Sequence, residues 1–316
     1  MLACVLILVC LGSWEGFWRQ QGFVPSLNDD AALWAAARSQ VEEDNGRAVA
    51  LVGTSRMQLG IHVEAFTTAT GVRPVQLSMN AEVPIVVLRH FAHDRAFRGV
   101  IVCDMLAAWF YVEAVAGKAA EWIDVYATQT WSAGLEQRLG QLMQQGLVFR
   151  LPALSPNNLW QTWDAGSWPR PSYMKLLADR SVQADYTRLE QQWREAPIKK
   201  AREAYRGGPI WSAEEFRERA RKVDAMIVPL YEHGGEVIFV RFPSSDELWE
   251  LEDASYPRGQ YWDVFAAHTR ARTIHFRDHP ELSQFDCPDG SHLDYRDTEA
   301  FTTALAKLVA QTLNGR

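Results

Sequence analysis

Three short apolar runs, each followed by a stretch of helical character, fall within the first 110 residues: Ala48-Val49-Ala50-Leu51-Val52, Pro74-Val75-Gln76-Leu77-Ser78-Met79 and Gly99-Val100-Ile101-Val102-Cys103-Asp104. Small and β-branched residues without polar alternation suit strands covered on both faces. The helical stretches between them, about 59–70 stopping at Gly71 and about 82–96, supply the crossovers that parallel strands need. Strand–helix units repeated at this spacing predict a doubly wound parallel sheet.

The alternation breaks at about 105–210, a stretch rich in Trp, Gln and Arg that reads as a helical insertion. Helices are expected near 132–146 and 173–205, with a connector carrying Pro152, Pro156, Trp160, Trp168, Pro169 and Pro171 between them. The sheet pattern then returns. A helix over 212–233 opens at Ser212 with Glu214 and Glu215 in its first turn and closes at Gly234-Gly235. Strand four is expected at 236–242, a helix at 258–269 after a loop, and a short strand five at 272–276. A last helix over 297–313 places Phe301, Leu305, Leu308, Val309 and Leu313 on one face.

Of the 13 tryptophans, Trp109, Trp122, Trp131, Trp160, Trp163 and Trp168 fall between 109 and 168. They suit a platform for sugar rings, a belt at a membrane interface, or filling of a core. A net charge of −7 without a basic stripe gives nucleic acid nothing to bind, since its backbone must be met by clustered Lys and Arg. With 47% hydrophobic and 22% charged residues, the chain has the composition of an ordinary globular protein.

Residues 1–11 are almost uninterruptedly apolar and end at Gly12-Ser13-Trp14. The run is short against the roughly 20 residues of a membrane crossing. It reads as the core of a signal peptide or the latter part of a signal anchor, with Trp14, Phe17, Trp18 and Arg19 at the interface. The expected organisation is an anchor or signal remnant over 1–25, a helical linker over 26–46 opened by Asn28-Asp29-Asp30 and closed by Asn45-Gly46, and one domain over 47–316. That layout puts the domain outside the cytoplasm, where Cys103 and Cys287 are candidates for a disulfide.

The residues that suggest chemistry are Ser55, Asp289 and His292. Ser55 follows the first strand after Gly53-Thr54, at the carboxyl edge where open α/β sheets bind ligands. A serine hydroxyl is a poor nucleophile until a base takes its proton, and the base needs a partner that fixes its tautomer. In Cys287-Pro288-Asp289-Gly290-Ser291-His292 the three-residue spacing lets the Asp289 carboxylate accept from Nδ1 of His292 while Nε2 points outward.

With Gly53-Thr54-Ser55 and Asp289-Gly290-Ser291-His292, the chain resembles the SGNH or GDSL-like hydrolases. It looks most like their membrane-anchored branch, associated with acylation of cell-envelope polymers. The resemblance covers about 47–110 and 212–313 and implies a three-layer α/β/α fold with a parallel, five-stranded, flavodoxin-like sheet. It implies Ser55 as nucleophile, His292 as base and Asp289 as orienting acid, with no cofactor. The implied activity is an O-acyl, and in particular acetyl, esterase or acyltransferase acting on an envelope polysaccharide. An acyl donor and a membrane-bound acyltransferase are the implied partners; a non-catalytic scaffold or glycan-binding subunit is the alternative.

Two family positions differ. Where a glycine after strand two and Gly-x-Asn-Asp after strand three usually help to form the oxyanion hole, this chain has Asn80-Ala81 and Cys103-Asp104. Asn80 is a candidate donor alongside the Ser55 N–H. Arg56, Asp104 and Arg241 are candidate substrate contacts, with surface ion pairs as the other role for the two arginines. His275, Asp278 and His279, with Asp286 and Asp294, offer a competing metal-ligand set, although Pro280 breaks the helix that the His275–His279 spacing would need.

Overall fold

The computed structural model describes residues 2–44 and 46–314. Its strands are β1 (Val49–Val52), β2 (Pro74–Gln76), β3 (Val100–Asp104), β4 (Met174–Leu176), β5 (Val182–Ala184), β6 (Glu236–Arg241) and β7 (Arg272–His275). Five form one parallel sheet in the order β2-β1-β3-β6-β7, and β4 pairs with β5 as a separate antiparallel hairpin.

Alternate residues of each central strand feed two cores. Ala50, Val52, Ile101, Cys103, Val237 and Phe239 face the helices Ala31–Glu43, Ile85–His93, Ala213–Glu232 and Trp262–His268. Val49, Leu51, Val102, Ile238, Val240 and Ile274 face the helices Ser55–Gly60, Val63–Thr70 and Tyr295–Asn314. Helices thus cover both faces, as a parallel sheet requires, giving an α/β fold of three layers. The expected helix over 59–70 is two: Ile61 and His62 interrupt it, and His62 Nδ1 accepts the Ala65 N–H to start the second.

The segment expected as a linker belongs to the core. Trp34, Ala35, Arg38 and Val41 of the helix Ala31–Glu43 are buried, and Trp34 donates its indole N–H to the Leu77 carbonyl at 2.9 Å. Asn45, expected to close that helix, lies outside the described residues, as does Met1. The apolar run that ends at Gly12-Ser13-Trp14, read as short for a membrane crossing, is part of a longer helix. One helix runs from Leu2 to Gln20, with only Trp18 buried, and is long and apolar enough to cross a membrane.

The helices of the insertion are placed differently from those expected. Its helices are Lys118–Thr128, Trp131–Gly146, Pro156–Asp164, Gln191–Arg194 and Ala196–Tyr205, and the hairpin β4–β5 occupies part of the helix expected over 173–205. Tertiary bonding overrides local propensity here. Arg180, at the hairpin turn with φ +65°, is completely buried and donates to the carbonyls of Gln76 (2.7 Å) and Ser78 (3.0 Å) and to Asp29 Oδ1. The hairpin is thereby fastened to the end of β2. A further helix, Asp246–Ser255, replaces a stretch expected as loop.

Cys103 and Cys287 are both free and buried, Cys103 on one face of the sheet and Cys287 on the other. The sheet between them rules out the candidate disulfide.

Candidate active site

Ser55 stands where β1 ends and the helix Ser55–Gly60 begins. Gly53 is needed there for space: a Cβ on it would lie 2.8 Å from Met57 Cβ and 2.9 Å from Asp104 Cβ. Thr54 caps the helix, its Oγ1 accepting the Arg56 N–H and donating to Asp104 Oδ2, each at 3.3 Å. Ser55 is therefore the first helical residue, and its N–H belongs to the first turn, whose donors have no partner within the helix.

The loop after the short helix Pro280–Ser283 brings the other two side chains. Gly290 turns it with φ +85°, and Ser245 secures it by donating its N–H to the Gly290 carbonyl and accepting the Cys287 N–H on Oγ. Asp289 Oδ1 accepts the backbone N–H groups of Ser291 (3.0 Å) and His292 (2.9 Å), which fixes the carboxylate against its own loop. Asp289 Oδ2 then lies 2.8 Å from His292 Nδ1, and His292 Nε2 lies 2.8 Å from Ser55 Oγ.

The structure thus brings Ser55, His292 and Asp289 into one hydrogen-bonded line. Pairing with the carboxylate assigns the proton to Nδ1 and leaves the Nε2 lone pair facing the serine hydroxyl. Burial opposes charge on Asp289, yet the hydrogen bond and charge of His292, the Ser291 N–H and the Tyr186 hydroxyl hold its carboxyl down to about 2. The carboxylate is 5% exposed and the imidazole 17%, so the charge is sheltered while the ring reaches the surface.

Two participants were not among the residues singled out from the sequence. Tyr186 reaches Asp289 Oδ2 from the insertion at 2.8 Å, and no local pattern links residues 103 positions apart. Ser291 Oγ lies 2.8 Å from His292 Nδ1 and shares that ring position with Asp289; its place beside the histidine was the available signal.

Arg56, Asp104 and Arg241 are buried, not at the surface. Both guanidinium groups bond Glu252 and Ser244 Oγ, and Ser244 Oγ donates to Glu252 Oε2 at 2.7 Å. Arg56, Arg241 and Glu252 form a scaffold behind the turn that carries Ser55, so the ion pairs considered for the arginines exist but are buried rather than at the surface. Burial pushes the Asp104 carboxyl up to about 6 despite Arg56 and Arg241, and its Oδ1 has no hydrogen-bond partner among the described residues. Asn80 is exposed in the turn after β2, and its carbonyl accepts from Lys118 Nζ at 2.7 Å. Among the described residues no side-chain hydrogen bond ties Asn80 to Ser55 or His292.

The competing ligand set is dispersed. His275 Nδ1 accepts the Arg277 N–H with its ring stacked on Phe276, Asp278 forms a forked pair with Arg258, and Asp294 bonds Arg296 and the Tyr186 N–H. Among the described residues no group of three His, Cys, Asp or Glu side chains is placed to hold a metal ion.

In comparisons with known proteins, no protein family matches the chain, and no curated protein matches it.

Proposed function

We propose that the protein is a serine-dependent O-acyl esterase or acyltransferase that works through an acyl-enzyme on Ser55. The observation that carries this reading is the line Ser55 Oγ to His292 Nε2 and His292 Nδ1 to Asp289 Oδ2, each step 2.8 Å. His292 takes the Ser55 proton as Oγ attacks the ester carbonyl, and Asp289 stabilises the imidazolium that forms. The Ser55 N–H is one donor to the oxyanion, and the Asn80 side-chain amide is the candidate second. Collapse expels the alcohol, which takes the proton from His292 and leaves the acyl group on Ser55. Water or a sugar hydroxyl then gives up its proton to His292 and attacks the acyl carbon, restoring the serine.

The resemblance to the SGNH hydrolases makes acetyl the acyl group and a cell-envelope polysaccharide the polymer. The apolar helix Leu2–Gln20 supports tethering to a membrane, with the domain on its outer side. A membrane-bound acyltransferase fits as the partner that delivers the acyl group.

A second reading is favoured by Asn80, which is exposed and among the described residues makes no side-chain hydrogen bond to Ser55 or His292, and by Asp104, which is fully buried: a scaffold or glycan-binding subunit that retains the three side chains without a working oxyanion hole. A fluorophosphonate probe separates the two. Covalent labelling at Ser55, abolished by Ser55→Ala and by His292→Ala, is the expected result. A folded protein that stays unlabelled after prolonged exposure would establish the scaffold.

A further inference from the structure

We propose that the outer face of the insertion, carried by the helices Trp131–Gly146 and Pro156–Asp164, rests in the headgroup and upper acyl-chain layer of a lipid bilayer. This rests on the membrane-anchored reading of Leu2–Gln20 and is independent of the chemistry at Ser55.

The helix Trp131–Gly146 is amphipathic the wrong way round for water. Its polar side faces the protein, with Gln137 Nε2 donating to Asp30 Oδ1 (3.4 Å) and Gln144 Oε1 accepting the Asn28 N–H (3.0 Å). Leu135, Leu139, Leu142 and Met143, at positions i, i+4, i+7 and i+8, are exposed, Leu142 by 65%. A surface helix in water turns such a stripe inward.

The next helix repeats the anomaly. Trp160 and Trp163 meet edge to face at 5.2 Å, and Trp163 is 65% exposed. Just beyond, the exposed Trp168 stacks on Trp18 of the N-terminal helix with centroids 5.6 Å apart.

These patches are joined to the end of the apolar helix. Arg19 donates to the Gly146 carbonyl at 2.6 Å, and Glu15 accepts the N–H groups of Val148 and Phe149 at 3.0 Å each. Trp18 is buried with Phe23, Val148 and Leu154, while Trp14 and Phe17 remain exposed beside it. If Leu2–Gln20 enters a bilayer, whatever is bonded to its last turn lies at the boundary where tryptophan is enriched. Apolar faces of interfacial helices sink roughly 5–10 Å into that layer. The continuity of Leu2–Gln20 with a Leu, Met and Trp surface selects lipid as the occupant. Two attachments, one crossing and one lying flat, also stop the domain from swivelling about its anchor.

The test uses the full-length chain in nanodiscs of phosphatidylcholine and phosphatidylglycerol containing a phosphatidylcholine with a diazirine near the carboxyl end of its acyl chain. After irradiation, adducts mapped by peptide mass spectrometry are expected within 131–146 and 156–168 as well as 2–20. The double variant Leu139→Asp with Leu142→Asp, at exposed positions, is expected to lose the adducts at 131–146, keep those at 2–20 and retain its circular dichroism. Adducts confined to 2–20 would overturn the proposal and leave the anchor standing. Adducts confined to 2–20 together with two chains per nanodisc by native mass spectrometry would overturn it in favour of a second copy on that face, and a chain free of adducts throughout would remove both proposal and anchor.

Discussion

The Tyr186 hydroxyl donates to Asp289 Oδ2 at 2.8 Å, so a side chain from the insertion supports the carboxylate that faces His292. Tyr186 is 2% exposed, and burial together with the Asp289 charge raises its phenol above the ordinary range, which keeps it a donor at neutral pH. Its backbone is held too, since the Tyr186 N–H donates to Asp294 Oδ2 at 2.9 Å on the strand-to-helix loop that also carries Asp289. The insertion and the sheet domain therefore build the site together.

Replacing Tyr186 by Phe tests this with little change in volume. A hydrogen bond to a charged group contributes about 1.5–3 kcal/mol, and its loss leaves Asp289 Oδ2 with only the imidazole as side-chain donor. Tyr186→Phe should lower unfolding stability in urea by about 1.5 kcal/mol and slow fluorophosphonate labelling of Ser55 roughly tenfold. Because the hydroxyl helps to hold the Asp289 carboxyl low, the pH at which that carboxylate takes up a proton, followed by the NMR shift of its carboxyl carbon, should move upward. A variant matching the wild type in labelling rate and in that pH would reduce Tyr186 to a packing residue.

Glu252 is the carboxylate shared by Arg56 and Arg241, all three buried. Removing the common partner leaves two cations in a medium that penalises them heavily. Breaking a buried pair costs about 3–5 kcal/mol, so Glu252→Ala should lower the melting temperature by roughly 5–8 °C. Glu252→Gln retains the shape and one acceptor and should lose less. Differential scanning calorimetry on both variants checks the order, and equal losses would mean that shape, not charge, is what Glu252 supplies.

What could be read in the sequence was whatever is locally encoded. β1, β3 and β6 are apolar on both faces because helices cover both sides of the sheet, and that leaves an unmistakable run. Asp289 and His292 sit in one turn, so their mutual geometry is short-range; the approach of Ser55 depended only on both lying at the carboxyl edge of one sheet. What was missed is long-range. The β4–β5 hairpin owes its form to Arg180 bonding carbonyls about 100 residues away, and the role of Glu252 appears only when residues 56, 241 and 252 meet. The apolar run at the N-terminus was counted only to Leu11, yet the helix that carries it continues to Gln20, since the cost of Gly12 and Ser13 inside a long helix is small.

Gly53→Ala adds one methyl group where none fits. Both neighbours, Met57 Cβ and Asp104 Cβ, are attached directly to backbone and cannot swing aside. Overpacking of this kind costs about 1–3 kcal/mol, and displacing the turn by a fraction of an ångström should slow Ser55 labelling by at least roughly tenfold. Gly140→Ala, in open space within the helix Trp131–Gly146, should instead gain about 0.5–1 kcal/mol. Urea unfolding of the pair distinguishes a crowding effect from a general sensitivity to alanine.

Asp104 gives the chain an unusual pH dependence. Its carboxyl is pushed up to about 6 by burial, against an ordinary value of 3.8, so the native state binds its proton where the unfolded chain has already released it. For an acid raised in this way, stability falls as pH rises from about 4 to about 6, and the loss is complete above 6. Its magnitude is on the order of 3 kcal/mol. His90 and His275 act oppositely: burial holds them down to about 4 and about 3, so acidification below 6.5 destabilises the fold through them. The Asp104 contribution is therefore read as a difference. Asp104→Asn, an uncharged near-isostere that can still accept from Thr54 Oγ1, should be more stable than the wild type at pH 7.5, with the advantage fading by pH 4.5. Urea midpoints for the two proteins at half-unit steps of pH measure it. Parallel curves would show that Arg56 and Arg241 keep Asp104 ionised throughout, and the origin of the unpartnered Oδ1 would then have to be sought in bound water.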